Sequence, residues 1–185
     1  MTIKKEINTI QRKIEIFKKR KVEKKIDNFF EWVKGAELVE LKFCNVKEDP
    51  VRPELDVAFR RSYGRKIYGV KYKKEICAIM CFGFTNDIPT TVKELDLMTR
   101  DAYLNSAQKD QNIGKIAIAY TIWSKKKGGG KLIVKEVFKM IRKSNHLNRL
   151  VTMSPLTIMA RNFHFSNGAN ELQVNEETQN FEYKI

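Results

Sequence analysis

The sequence predicts an α/β fold, and three observations lead to this prediction. Apolar runs of strand length alternate with stretches whose apolar residues recur at helical spacing. Residues 65–72 and 76–84 are strand patterns separated by a short polar turn, which predicts a hairpin. Residues 116–169 combine a strand, a glycine-rich turn, a helix, a second strand and a second helix. At 185 residues the chain is long enough to bury a core.

The formal net charge of +14 is high and indicates an anionic partner: cofactor phosphates, a nucleic acid or an acidic surface. A lysine-rich genomic bias is the alternative explanation. No apolar run approaches the roughly 20 residues that span a bilayer, so we expect a soluble protein with no membrane partner. The three cysteines and the lack of a signal-peptide pattern predict free thiols in the cytoplasm. Without further ligands at workable spacing, no metal site is expected.

Residues 1–34 have the pattern of a basic amphipathic helix that ends near Gly35. The apolar stripe consists of Ile3, Ile7, Ile10, Ile14 and Phe17 and resumes with Val22, Ile26, Phe29, Phe30 and Val33. We expect the stripe to pack on residues 35–185, and a second copy in a homodimer or a membrane surface is the alternative. The basic run Lys18–Lys21 faces either solvent or a nucleic acid.

Residues 36–114 are predicted to form the first strands and one long connection. The predicted elements are a strand at 37–44, a short helix at 54–61, the hairpin strands, a helix at 92–103 and a polar loop at 105–114. Thr90 or Thr91 is expected to cap the second helix. Long connections tend to shape binding sites, so Glu94, Asp96 and Asp101 are candidate acids near an acceptor, with solvated surface carboxylates as the alternative.

The remaining elements alternate between strand and helix. They are a strand at 116–123, a helix from about Lys131, a strand at 150–153, a helix that carries His164, and strands at 169–174 and 180–185. Ser154 followed by Pro155 has the pattern of a helix N-cap and first turn. Asn167–Gly168 is predicted to end that helix.

The turn Lys125–Gly130, with the sequence Lys-Lys-Lys-Gly-Gly-Gly, is a candidate phosphate-binding site between a strand and a helix. Glycines let the backbone approach phosphate oxygens, and a helix N-terminus offers unpaired N–H groups and a favourable dipole. The dipole alone contributes only about 0.3–1 kcal/mol at an exposed site. We therefore expect several N–H groups and the lysines to supply most of the affinity. A solubilising loop is the alternative.

This turn resembles the coenzyme A pyrophosphate loop of the GNAT acyltransferase superfamily, which has the pattern Gln/Arg-x-x-Gly-x-Gly/Ala. Gly128 and Gly130 occupy the glycine positions, and Lys125 replaces the usual Gln or Arg.

The helix after the next strand in that superfamily often reads Asn-x-x-Ala-x-x-x-Tyr-x-x-x-Gly. Ala160 and Gly168 keep their positions, Thr157 replaces the Asn, and His164 occupies the position of the tyrosine. The resemblance implies that this residue protonates the leaving coenzyme A thiolate, which histidine can also do. A surface or packing role for His164 is the alternative.

Three segments resemble malonyl-CoA decarboxylases more closely. Phe163–Ala169 is similar to their Phe-His-x-x-Asn-Gly-Ala element, Met153–Pro155 to Leu-Ser-Pro, and Tyr120–Trp123 to Tyr-Ser-Ile-Ser. This resemblance implies that Thr121 and His164 serve decarboxylation, although Thr121 is more simply a β-branched strand residue. The chain is shorter than those enzymes, and its ending is also similar to small phage-encoded GNAT proteins.

The GNAT resemblance covers residues 66–185. It implies a mixed, mostly antiparallel twisted sheet flanked by helices on both faces, with residues 1–34 as a helical arm and 35–185 as the acyl-CoA-binding domain. Acetyl-CoA or another acyl-CoA is expected where the fourth and fifth strands part. The residues expected to contact it are Tyr120, Ile122, Trp123, Lys125, Lys126, Lys127, Gly128, Gly129, Gly130, Lys131 and Asn162.

The activity implied by the resemblance is transfer of an acyl group, most simply acetyl, to an amine of a small molecule, a protein or a nucleic acid. His164, Thr121 and Ser154 are the catalytic candidates, and His164 either protonates the departing thiolate or serves as a base. Decarboxylation of malonyl-CoA or a similar acyl-CoA is a second hypothesis. A basic nucleic-acid-binding module, with or without acyl transfer, is a third.

Overall fold

A computed structural model describes residues 2–109 and 113–183. The chain divides into two compact units, Met1–Ala36 and Glu37–Ile185. The first unit is one helix, α1, which spans Thr2–Gly35. Its end at Gly35 agrees with the sequence prediction. Among the described residues, no helix is both long and apolar enough to cross a membrane.

Large apolar side chains of α1 are exposed. Phe17, Val22 and Phe29, all members of the predicted stripe, are each more than half exposed. Trp32 is buried and meets Phe29 edge-on, with ring centroids 5.8 Å apart. The stripe residues before residue 15 lie outside the described side chains, so the partner of the stripe stays a prediction.

The second unit is built around a seven-stranded sheet with the order β1-β2-β3-β4-β5-β7-β6. The strands are β1 (Ala36–Glu40), β2 (Lys66–Tyr72), β3 (Glu75–Thr85), β4 (Ile116–Ser124), β5 (Arg149–Pro155), β6 (Asn170–Val174) and β7 (Thr178–Tyr183). Strands β4 and β5 are parallel, whereas β2–β3, β3–β4, β5–β7 and β6–β7 are antiparallel. The predicted mixed, mostly antiparallel sheet is therefore confirmed.

Helices cover both faces of the sheet. They are α2 (Val92–Lys109), α3 (Gly129–Arg142) and α4 (Ile158–Ser166). A Cβ at Gly83 of β3 would meet the Thr99 side chain of α2 at 2.7 Å, while a Cβ at Gly129 of α3 would lie 3.2 Å from the Ala78 Cβ of β3. Successive strand residues point to opposite faces, so Gly83 and Ala78 face different sides. We call these the α2 face and the α3 face.

A bulge interrupts the pairing of β4 with β3. Cys81 pairs with Thr121, but the next residue, Phe82, pairs with Ala119, so Tyr120 has no partner in β3. Bulges often re-aim a side chain or terminate pairing beside a functional site. Here the bulge lies just after the last residue of β4 that pairs with β5.

Two predictions before the hairpin are wrong in extent. The strand predicted at 37–44 ends at Glu40, and the helix predicted at 54–61 is replaced by a 3₁₀ helix at Phe59–Gly64. The Arg60 guanidinium donates to the backbone carbonyls of Leu55 and Arg52, at 2.9 and 2.6 Å. These side-chain bonds hold the segment in an irregular path that local propensity does not predict.

The second helix is longer than predicted. α2 continues to Lys109, so the loop predicted at 105–114 is wrong for its first residues, and residues 110–112 lie outside the described part. The buried face of α2 continues through Thr99, Ala102 and Ser106. Because Ser106, a buried residue beyond the predicted end at Tyr103, is polar, an apolar stripe does not reveal the continuation. The cap is confirmed: Thr91 Oγ1 accepts from the Glu94 N–H.

Candidate active site

The parallel strands β4 and β5 part at the centre of the sheet. Their pairing runs from Ile116–Arg149 to Ala119–Thr152 and then stops. β4 continues along β3 to Ser124, whereas β5 continues along β7 to Pro155. The β5-facing N–H and C=O groups of β4 after Ala119 therefore have no strand partner. We call this opening the fork.

The glycine turn follows β4 directly. Gly128 has φ +83°, a conformation that favours glycine. The first bond of the α3 ladder joins the Leu132 N–H to the Gly128 carbonyl at 3.0 Å, and the Gly129 N–H bonds the Lys126 carbonyl. The N–H groups of Gly130 and Lys131 therefore lie before the first full turn and are free to bind an anion.

Close packing places this turn against its neighbours. A Cβ at Gly129 would lie 3.1 Å from the Cys77 carbonyl oxygen, and a Cβ at Gly130 would lie 3.1 Å from the Phe163 ring of α4. Both positions consequently favour glycine, because a larger side chain has no room there. Since Phe163 directly precedes His164, this contact places the N-terminus of α3 near His164.

The lysines of the turn differ in their surroundings. Lys125 forms an ion pair with Glu48 at 2.6 Å, and this bond lowers the pKa of the Glu48 carboxyl. The Lys126 ammonium lies 4.4 Å from the centroid of the Tyr72 ring. Lys127 and Lys131 are exposed. The last two are therefore best placed to meet a phosphate without giving up a contact.

His164 is buried on the α3 face, where only 3% of it is exposed. Its Nε2 lies 2.7 Å from Ser154 Oγ and 3.4 Å from Thr152 Oγ1 of β5. Its Nδ1 lies 2.8 Å from the Tyr183 hydroxyl of β7. The ring also stacks on Phe181 with centroids 4.7 Å apart. Both ring nitrogens therefore have partners, and hydrogen bonds connect Ser154, His164 and Tyr183.

Burial decides the protonation of this chain of groups. Desolvation lowers the pKa of His164 to about 4 and raises the pKa of Tyr183. His164 is therefore neutral at pH 7, so one ring nitrogen donates and the other accepts. A neutral imidazole between two hydroxyls can pass a proton along the chain without holding a charge.

The structure corrects the helix N-cap that the sequence predicts at Ser154. Ser154 and Pro155 belong to β5, and the N-cap of α4 is Thr157, whose Oγ1 accepts from the Ala160 N–H at 3.2 Å. The predicted helix end is confirmed, since α4 stops at Ser166 and Gly168 has φ +83°. The Ser154 hydroxyl is thereby available to His164 rather than to a helix end.

Thr121 lies in a different network, on the α2 face. Its hydroxyl donates to Asp49 Oδ1 at 2.7 Å, and Asp49 Oδ2 pairs with Arg60 Nη1 at 2.8 Å. The side chains of this ion pair are fully buried. Thr121 pairs with Cys81, which belongs to the same buried cluster as Met153, whereas Ser154 points to the opposite face of β5. The structure therefore does not bring the Thr121 hydroxyl and His164 into one hydrogen-bonded group.

The other predicted site residues lie on β4 after Ala119 and on α4. Tyr120 and Trp123 are buried, Ile122 is partly buried, and Asn162 is exposed on α4. The sequence did not single out Tyr183 or the pair Asp49–Arg60. A strand pattern at the chain end contained Tyr183, but no local signal connects it with His164. Asp49, which precedes Pro50, lies between the predicted strand at 37–44 and the predicted helix at 54–61 and belongs to no motif.

No family model and no curated protein match the sequence. Solved structures do match. The GNAT domain of S. lividans PAT covers 81% of this chain and 90% of its own, with TM-score 0.53 and 8% identity. A Bacillus subtilis acetyltransferase in complex with CoA covers 81% and 97%, with TM-score 0.53 and 11% identity. The loading GNATL domain of CurA from Lyngbya majuscula covers 80% and 97%, with TM-score 0.57 and 9% identity.

A malonyl-CoA decarboxylase from Cupriavidus metallidurans is also similar, at 21% identity and TM-score 0.48 over 70% of this chain. The chain spans about a third of the length of that enzyme, since 33% of it is covered. At such identities the similarity extends to the fold alone. With its parallel β4–β5 pair that parts at a bulge and its glycine turn at the head of α3, this chain has the fold of the GNAT superfamily.

Proposed function

We propose that this chain is an acyl-CoA-dependent N-acyltransferase that transfers an acyl group, most simply acetyl, to an amine. The observation that carries the proposal is the fork, which has the glycine turn at one end and the Ser154–His164 pair beside it. The arrangement offers, in this spatial order, an anion site, an unpaired strand edge and a proton-transfer group. Acyl-CoA presents a pyrophosphate, two amides and a thioester in the same order.

The pyrophosphate is bound by the head of α3. The N–H groups of Gly130 and Lys131 supply hydrogen bonds, and the exposed ammonium groups of Lys127 and Lys131 supply charge. Lys125 contributes to phosphate binding only if its ion pair with Glu48 is replaced by one with the phosphate. The pantetheine amides then pair with the free edge of β4 at residues 120–123, as an added strand does.

The thioester lies at the fork beside Ser154. As the amine attacks the carbonyl carbon and the C–S bond breaks, the Ser154 hydroxyl gives its proton to the sulfur. The Ser154–His164 pair recovers a proton from the acceptor nitrogen, so it is neutral at the start and at the end. The geometry supports this assignment, because His164 is buried and its Nε2 lies 2.7 Å from Ser154 Oγ. General acid catalysis of this kind contributes about 10²–10⁴-fold.

Decarboxylation of malonyl-CoA is the second candidate. The resemblance implied that Thr121 and His164 act together, but the Thr121 hydroxyl is bonded to the buried Asp49 on the α2 face. This observation favours N-acyl transfer over decarboxylation. A basic module that binds nucleic acid without catalysis is the third candidate and rests on charge alone.

Calorimetric titration with coenzyme A tests the anion site. We expect Lys131→Gln to weaken binding several-fold, because Lys131 adjoins the free N–H groups of the turn. Lys135→Gln is the matched control, an exposed lysine one turn further along α3. Equal effects of the two changes contradict the assigned site.

Mass analysis of acyl-CoA incubations separates the candidates. Acylated amine and free coenzyme A from acetyl-CoA support transfer, whereas acetyl-CoA formed from malonyl-CoA without an amine supports decarboxylation. Salt-dependent DNA or RNA binding with no melting-temperature shift at millimolar acetyl-CoA supports the third candidate and contradicts the first.

A further inference from the structure

A second group of polar side chains lies on the α2 face of the fork and has no part in the chemistry above. Its centre is Tyr120, the bulge residue, which is 3% exposed. The Tyr120 hydroxyl has no hydrogen-bond partner among the described residues. The Arg52 guanidinium carbon lies 5.8 Å from the centroid of the Tyr120 ring. A buried hydroxyl without a partner destabilises the fold unless a ligand or a water satisfies it.

Three arginines of one segment, Arg52, Arg60 and Arg65, interact electrostatically with the Tyr120 hydroxyl. Their other contacts differ. Arg60 forms an ion pair with Asp49 and donates to two backbone carbonyls and to Cys81 Sγ. Arg65 donates to Asp96 Oδ1 at 3.2 Å, and Arg52 reaches Asp96 Oδ2 only at 3.9 Å. The other partner of Arg52 is Glu54, whose side chain is 63% exposed. The two guanidinium groups thus share the Asp96 carboxylate, and Arg52 has in addition only the exposed Glu54 carboxylate.

The groups that can form further hydrogen bonds here, the Tyr120 hydroxyl and the Arg52 guanidinium, are donors. A guanidinium has no acceptor atom, and its planar fork matches a carboxylate. Arg65 is held by Ser62 and lies over the Phe59 ring at 4.3 Å, so its orientation is fixed before any ligand binds. Arg52, with a side chain 13% exposed, is the guanidinium with capacity to spare.

The position of Tyr120 connects this group with the reacting atoms. Tyr120 directly follows Ala119, the last residue of β4 that pairs with β5. It packs in one cluster with Met153, the residue of β5 that faces away from His164. A thioester held at the fork would have Ser154 on one side and the Tyr120 group on the other.

We infer that Tyr120 and Arg52, oriented by Arg65 and Asp96, form a subsite for a carboxylate of the substrate that reacts at the fork. The inference rests on the proposed function. Two sources supply this chemistry: a carboxylate on the acceptor, as in an amino acid or a peptide C-terminus, or a β-carboxylate on the acyl group, as in malonyl-CoA. In both cases the carboxylate accepts from the Tyr120 hydroxyl and pairs with Arg52.

Two pairs of probes test the inference and distinguish the sources. The acyl arm compares dissociation constants of malonyl-CoA and acetyl-CoA by calorimetry. The acceptor arm compares kcat/KM for α-amino acids and their carboxamides with acetyl-CoA. The variants are Tyr120→Phe, which removes only the hydroxyl, and Arg52→Gln. Arg61→Gln, an exposed arginine of the same segment, is the control.

We expect at least one arm to show a preference for the carboxylate of about tenfold or more. Tyr120→Phe and Arg52→Gln should each reduce that preference about tenfold, and Arg61→Gln should leave it intact. If the wild type shows no preference for the carboxylate in either arm, the subsite is overturned while the proposed function stands. The subsite is also overturned if Tyr120→Phe and Arg52→Gln leave an observed preference unaltered.

If neither acyl-CoA binds, the proposed function fails and the subsite is tested by itself. Free succinate should then raise the melting temperature of the wild type and not that of Arg52→Gln. Absence of this difference overturns the subsite as well.

Discussion

The burial of His164 predicts a defined loss of stability in acid. Burial lowers the pKa of this imidazole from 6.5 to about 4, so between these values the unfolded chain binds a proton that the folded chain excludes. The stabilising contribution of the neutral buried ring is therefore fully present above pH 6.5 and is lost as the pH falls toward 4. Since one pKa unit corresponds to about 1.4 kcal/mol, the whole window is worth about 3 kcal/mol.

Urea unfolding of wild type and His164→Gln at pH 7 and pH 4.5, followed by tryptophan fluorescence, measures this contribution. We expect the free energy of unfolding to fall by about 2 kcal/mol more in the wild type than in the variant, because most of the window has been crossed at pH 4.5. Carboxylates whose pKa is lowered, such as those of Glu48 and Glu94, also contribute less to the free energy of unfolding in acid. This loss is the same in both proteins and cancels in the comparison.

No charged group among the described contacts of the imidazole offsets this effect. Its polar neighbours are Ser154, Thr152 and Tyr183, and the pKa of Tyr183 is raised, so none of them ionises in acid. His146→Gln, which removes the exposed histidine, should keep the wild-type slope. Parallel pH dependence of wild type and His164→Gln would refute the reasoning.

Three further outcomes follow from single contacts. Asp49→Asn should lower the free energy of unfolding by about 3–5 kcal/mol, because the buried Arg60 loses its carboxylate; an effect below 1 kcal/mol in urea unfolding contradicts the buried pair. Gly128→Ala should cost about 1 kcal/mol by the same assay, since φ is +83° there, and a neutral change argues against that turn geometry. Ser154→Ala should lower kcat about a hundredfold at unchanged KM for acetyl-CoA; unchanged kcat removes Ser154 from the proton transfer.

Local patterns predicted those elements whose cause is local. The hairpin of β2 and β3, the cap at Thr91 and the helix end before Gly168 depend on residues within a few positions of each other. Apolar periodicity found β3 and β4 because both are almost entirely buried. It missed the end of α2 after Tyr103, where Ser106 faces the interior without being apolar.

Some features of the candidate site depend on neighbouring residues, and others depend on residues far apart in sequence. The glycine turn was recognised from its own residues, since glycine is needed there for a positive φ and for close packing. The pair Asp49–Arg60 and its bond to Thr121 join positions far apart in sequence, and no pattern within one element reports them. The same holds for the bond of His164 to Tyr183.

By itself, the sequence determined the order of strands and helices, the glycine turn and the presence of His164 in a helix at GNAT-like spacing. Only the tertiary structure decided which hydroxyl meets that histidine. Ser154 has the local pattern of a helix cap, yet it pairs with Gln179 as a residue of β5. The Gln179 side chain also donates to the carbonyls of Pro155 and Thr157, so bonds from β7 extend the strand and delay the helix to Ile158. Sheet pairing outweighed the local cap and turned the Ser154 hydroxyl toward His164.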